Sequence, residues 1–229
     1  MEDSPDLWIV VPAYNEGRMI CSVLDQVKHL TRNVVVVDDG STDDTTERAL
    51  KFPIVLLRHE LNLGQGAALQ TGISYALRFP STRFIVTMDS DGQHGAGDIP
   101  RLLAPLRSGT HDVVLGSRFL REGKAFNIGA SKRAVLRLAV AFTRLTTGLD
   151  LTDTHNGLRA FTAEAATRIA ITQNGMAHSS EILSQISLLK LRWCEVPVTV
   201  TYTSYSMAKG QSILNSVNIL WDMMKGRMR

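Results

Sequence analysis

The chain has 229 residues, 44% of them hydrophobic, and sets 25 Lys and Arg against 22 Asp and Glu for a formal net charge of +3. That length and apolar content suffice to bury one large core, and the charge is too mild and too dispersed for nucleic-acid binding to be expected. The acidic start Glu2-Asp3-Ser4-Pro5-Asp6 lacks the positive region of a signal peptide, and the best apolar run, 134–142, is short and interrupted by Arg137, so neither secretion nor a membrane span is expected.

Residues 7–11 form the first β-branched run and predict a buried strand, and the apolar spacing over 16–30 predicts a helix. Between them, Val11-Pro12-Ala13-Tyr14-Asn15-Glu16 turns the chain: the proline fixes the turn and Asn15 is placed to cap the helix. The alternation continues with strand 34–37, helix 43–51, strand 54–57, helix 65–79, strand 84–87, helix 98–106 and strand 113–115. This βαβ rhythm predicts an α/β protein with an open, doubly wound, mostly parallel sheet covered by helices on both faces. Cys21 falls on a helical pattern and Cys194 on a strand-like one, which suits buried free thiols in a reducing, cytoplasmic setting better than a disulfide.

In such sheets ligands sit outside the carboxyl ends of the strands, and the polar clusters of this chain fall there. Asp38-Asp39-Gly40-Ser41-Thr42-Asp43 follows four valines, and a carboxylate at that end can accept hydrogen bonds from a nucleobase or ribose, while Ser41 or Asp43 caps the next helix. Asn62-Leu63-Gly64-Gln65-Gly66-Ala67-Ala68 lacks the spacing of a dinucleotide-binding turn, and close backbone approach at a helix start accounts for its glycines. Met88-Asp89-Ser90-Asp91-Gly92-Gln93-His94 places two carboxylates one residue apart behind the strand 84–87. Hard oxygen ligands of that kind suit Mg²⁺ or Mn²⁺, and such an ion is chiefly useful where a substrate brings phosphates.

Six ordered motifs, 11–16, 38–43, 62–67, 89–94, Gly116-Ser117-Arg118-Phe119 and 153–161, resemble those of glycosyltransferase family 2, the inverting GT-A enzymes, and above all its dolichyl- and polyprenyl-phosphate sugar synthases. The resemblance implies a GT-A, Rossmann-like domain over 1–211 and a nucleotide diphosphate sugar donor, UDP-, GDP- or dTDP-linked. Pro12, Tyr14, Glu16 and Asp39, with Asp38, would surround the nucleoside. Asp89, Asp91 and Gln93 would hold the metal and diphosphate, and Lys209 on a basic loop would close over them. Arg118 and Arg133 would bind a polyprenyl phosphate acceptor. Tyr202 and Tyr205 stand where those synthases carry a further Arg, and Leu158 stands where Phe is common.

A phosphate acceptor is largely ionised at neutral pH, its second pKa being about 6, and needs little help from a base. A sugar hydroxyl would need one, and Asp153 is the first candidate for base or acceptor orienter, with Glu181 second. Arg159 is read as a brace of the site, and His155 as a residue satisfying local hydrogen bonds. Transfer to a sugar hydroxyl during polysaccharide assembly and a non-catalytic nucleotide-sugar binding protein are the alternatives. The stripe Ile213, Leu214, Val217, Leu220, Trp221, Met224 predicts an amphipathic helix over 212–229, docked on the protein or facing a membrane or protein partner. Membrane contact is therefore expected to be peripheral, at the cytoplasmic face.

Overall fold

The computed structural model of the chain describes residues 4–120, 123–126 and 130–202. Its first half follows the expected alternation, with strands β1 (Leu7–Ala13), β2 (Val34–Asp38), β3 (Val55–Arg58), β4 (Phe84–Thr87) and β5 (Val113–Ser117). Between them lie helices α1 (Ile20–Val27), α2 (Thr45–Ala49), α3 (Gln65–Ala76) and α4 (Ile99–Arg107), the last entered through a short 3₁₀ turn at Ala96–Asp98. Helices α1 and α2 begin later than their apolar patterns suggested, whereas α3 begins at Gln65 as expected and ends three residues early, and α4 keeps its expected length. Asn15 does not cap α1. It adopts φ 52° and its Oδ1 accepts the Thr42 and Asp43 amides, so it clamps the loop after β1 to the loop after β2.

The later elements are β6 (Lys124–Phe126), α5 (Ala130–Thr147), β7 (Arg159–Thr162), α6 (Ala163–Arg168), α7 (His178–Leu188), β8 (Trp193–Pro197) and β9 (Thr199–Thr201). Among the described residues the main sheet has the order β3-β2-β1-β4-β7-β5-β8, and β6 and β9 form a separate parallel pair. All pairings in the main sheet are parallel except those of β7, which runs antiparallel between β4 and β5.

Both faces of this sheet are covered, which is why its strands read as continuous apolar runs rather than alternating ones. Leu7, Ile9, Val11, Val34 and Val36 pack with α1 and α4 on one face. Trp8, Val10, Val35 and Val37 pack with α3, α6 and α7 on the other. Trp8 stacks on Phe79 at 4.9 Å and meets Tyr75 edge-on at 5.6 Å, which fixes α3 against β1. The chain winds outward from β1 to β3 and returns on the other side of β1 as β4, so the strand order reverses between β1 and β4. A crevice opens at the carboxyl ends there, where this kind of sheet binds ligands.

Candidate functional site

At that crevice lies a cleft of about 310 Å³ lined by residues at or beyond the ends of three different strands, including Pro12 at the end of β1, Tyr14 and Glu16 after it, Asp39 after β2, and Asp89 and Asp91 after β4. Gln65 from the start of α3 and Met176 from the segment before α7 complete its walls. Pro12, Tyr14, Glu16, Asp39, Asp89 and Asp91 are thus brought together. Gln93 is not among the cleft-lining residues: its amide closes a turn onto Asp91 Oδ1 at 3.0 Å and its carbonyl accepts the Thr201 amide at 2.9 Å.

Asp38 and Asp39 point in opposite directions, as successive residues leaving a strand do. Asp38 is fully buried, accepts the Ser41 amide at 2.8 Å and the Thr46 hydroxyl, and braces the turn instead of facing the cleft. Asp38, expected with Asp39 around the nucleoside, is thus not among the cleft-lining residues. Asp39 reaches the cleft wall and is held by His59, whose Nδ1 lies 2.7 Å away, and by the amides of Leu63 and Gly64.

Asp89 Oδ1 accepts from Gln65 Nε2 at 2.7 Å, and Oδ2 lies 3.9 Å from His94 Nε2. His94 is buried, its Nδ1 has no hydrogen-bond partner among the described residues, and burial lowers its pKa, so it faces Asp89 as a neutral imidazole. Among the described residues no group of three His, Cys, Asp or Glu forms a closed metal cage. The donor set nevertheless fits Mg²⁺ or Mn²⁺, which accept one or two carboxylates and complete their shell with water and substrate phosphates. Both carboxylates offered are oxygen donors on the wall of one open cleft.

Gly157 makes room for this arrangement, since a Cβ there would run into the Asp89 carboxylate while its carbonyl accepts the Thr87 hydroxyl at 3.0 Å. Gly157→Ala is expected to displace Asp89 and lower turnover by on the order of 10²-fold. Melting curves and a Mn²⁺ titration of donor binding check this, and unchanged metal dependence in the variant would contradict it.

Arg118 and Asp153 are brought together as partners. Arg118 Nε lies 2.6 Å from Asp153 Oδ2, Nη2 lies 2.9 Å from the His155 carbonyl, and Nη1 bonds the Tyr202 hydroxyl. Asp153 also accepts the Arg118 amide at 3.2 Å and sits with 3% exposure, so its lone pairs are engaged inside the protein. Glu195 on β8 holds the same turn by accepting from the amides of Thr152 and Asp153. Glu181, the second candidate base, is drawn elsewhere and caps the Thr172 and Gln173 amides. Arg159 is 3% exposed, and burial takes its pKa down to about 10, against the pull of Asp89 and Asp153. His155 is neutral, its pKa lowered by burial to about 4. The side chain of Arg133, the whole of Lys209 and the stretch 212–229 lie outside the described residues.

The sequence gives no role to Gln65, His59 and Glu195, and marks Tyr202 only as standing in place of an Arg. His59 follows β3 as Asp39 follows β2, so the strand-end rule applied to β3 would have found it. For the other three, partners 24 to 84 positions away decide the role, and no local signal marks it.

The comparisons with known proteins agree with this geometry. Residues 8–169 match the family model described as glycosyl transferase family 2. The UDP-N-acetylglucosamine–dolichyl-phosphate N-acetylglucosaminyltransferase of Methanococcus voltae is 30% identical over 245 residues, covering 97% of this chain and 96% of its own. The undecaprenyl-phosphate mannosyltransferase of Micrococcus luteus is 29% identical over 239 residues, covering 96% and 97%. Among solved structures, glucosyl-3-phosphoglycerate synthase from Mycobacterium tuberculosis, in complex with Mn²⁺ and UDP-glucose, superposes with a TM-score of 0.75 at 21% identity, covering 98% of this chain and 79% of that one. A parallel sheet with one antiparallel insertion, an acidic cleft at the reversal of strand order and a family match over most of the fold converge: this GT-A-like chain belongs to glycosyl transferase family 2.

Proposed function

We propose that the chain transfers a hexose from a nucleotide diphosphate sugar to a polyprenyl phosphate, with inversion at the anomeric carbon. The observation that carries this reading is that Asp39, Asp89 and Asp91 line one cleft, so a single ligand can present a nucleoside to the first and a diphosphate to the other two. A divalent cation, Mg²⁺ or Mn²⁺, held by Asp89 and Asp91 would neutralise the charge that grows on the departing diphosphate.

The two full-length relatives are named for transfer to dolichyl phosphate and undecaprenyl phosphate, with different sugars, which supports a lipid phosphate as the shared acceptor. The engaged state of Asp153 points the same way. An attacking phosphate oxygen forms its bond to the anomeric carbon as the bond to the donor diphosphate breaks, and no proton need be removed. A hydroxyl acceptor would require a base, and Asp153 does not line the cleft: its Oδ2 accepts from Arg118 and its Oδ1 faces the His155 amide at 3.4 Å. No helix of the described residues is long and apolar enough to cross a membrane. Contact with the lipid is proposed as peripheral, through the apolar stripe that the sequence carries over 212–229.

The test is to incubate the chain with Mn²⁺, a panel of UDP-, GDP- and dTDP-hexoses, and either a short polyprenyl phosphate or free sugar acceptors, reading products by mass spectrometry. A glycosylated polyprenyl phosphate is expected. Product formed on free sugars alone would replace this reading with the polysaccharide one, and metal-independent binding without transfer or donor hydrolysis would replace it with a binding protein.

A further inference from the structure

Resting on the reading of the cleft as a nucleoside diphosphate site, we infer that it selects uracil or thymine over guanine, and that His59 enforces the choice through Asp39. An ionised carboxylate is acceptor-only and offers about four lone-pair sites, two on each oxygen. Oδ1 of Asp39 takes His59 Nδ1 at 2.7 Å and the Leu63 amide at 3.0 Å; Oδ2 takes the Gly64 amide at 2.7 Å. Oδ1 is therefore filled, and Oδ2 keeps room for one donor.

The direction of the His59 bond follows from the same count. A carboxylate already accepting two backbone amides has no proton to give, so Nδ1 of His59 carries the hydrogen and Nε2 faces the Thr71 hydroxyl at 3.0 Å. The Asp39 side chain is 4% exposed, so a ligand in the cleft reaches it along one edge only.

Each base meets that single acceptor differently. Uracil and thymine present one N–H, at N3, flanked by carbonyls, and one bond satisfies it. Guanine presents N1–H and the N2 amino group side by side, which calls for both carboxylate oxygens; with Oδ1 filled, one of these donors would be buried without a partner, at about 1–3 kcal/mol. Cytosine turns a lone pair at N3 toward Oδ2 and is repelled. Asn62, on the wall of the same cleft, brings an amide that suits a flanking base carbonyl.

Titration calorimetry of the full chain with UDP, dTDP, CDP and GDP, each with Mn²⁺, tests this. UDP and dTDP are expected to bind about tenfold or more tightly than GDP and CDP, the ratio that one unpaired buried donor produces. His59→Phe keeps a ring of similar size but releases one lone pair of Oδ1, so the UDP to GDP ratio should fall about fivefold or more while the UDP to CDP ratio holds. His59→Gln retains an N–H donor and should keep the wild-type ratios. GDP binding as tight as UDP in the wild-type chain would overturn the inference, as would an unchanged ratio in folded His59→Phe. Absence of binding by all four nucleotides would instead sink the proposed function, and this inference with it.

Discussion

Asp91→Ala is expected to lower metal-dependent turnover by about 10²–10³-fold, the loss seen when one preorganised stabiliser of transition-state charge is removed. The fold should survive. Asp91 lies in a turn after β4, where Gly92 takes φ +73° and the Gln93 amide donates to Oδ1 at 3.0 Å. Losing that bond removes about 1 kcal/mol, or roughly 2–4 °C of melting temperature in a chain of this size. Asp91→Asn separates the two roles, because an amide oxygen still accepts the Gln93 N–H but no longer brings a charge to the cleft. The Asn variant should therefore melt with the wild type and turn over with the Ala variant. Full activity of Asp91→Asn across a Mn²⁺ titration would remove Asp91 from the proposed metal seat.

The contrast between Asp91 and Asp38 shows how far the sequence reaches into such a site. Strands β1 to β5 and helices α1 to α4 are legible because buried parallel strands and amphipathic helices carry long, regular apolar signals. Strand β7 is not, because its four residues Arg-Ala-Phe-Thr carry no run of β-branched residues and its antiparallel direction is decided by the neighbours it slides between. The strand-end rule located Asp39, Asp89 and Asp91 correctly at one crevice. It could not tell that Asp38, one residue earlier, turns inward, since that depends on the Ser41 amide and the Thr46 hydroxyl closing around it. Nor could it see that Arg118 and Asp153, 35 positions apart and assigned separate tasks, face each other. Positions are periodic and readable in one dimension; pairings are tertiary.

That pairing makes the second large prediction. Arg118 and Asp153 form a buried ion pair at 2.6 Å, with side-chain exposures of 5% and 1%. Removing one charge leaves the other buried without compensation, so Arg118→Met and Asp153→Asn should each destabilise the fold by about 3–5 kcal/mol. In Arg118→Met/Asp153→Asn both charges are gone, and most of that loss should return, giving a coupling energy of the order of the single losses. Activity separates a brace from a working group. If the pair merely supports the loops after β5 and before β7, the refolded double variant regains turnover along with stability. If Arg118 presents its remaining N–H groups to an anionic acceptor while Asp153 and Tyr202 hold its plane, the double variant stays impaired, through a KM for polyprenyl phosphate raised about tenfold or more for a lost charge-assisted bond. Donor affinity, proposed to rest on Asp39 and the carboxylates after β4, should be untouched in that case. The second outcome is expected, because Asp153, Tyr202 and the His155 carbonyl fix the guanidinium from three directions, an arrangement that pre-orients a fork for a planar or tetrahedral anion. Recovery of the acceptor KM in the double variant would return Arg118 to the framework and leave the acceptor phosphate to be held elsewhere.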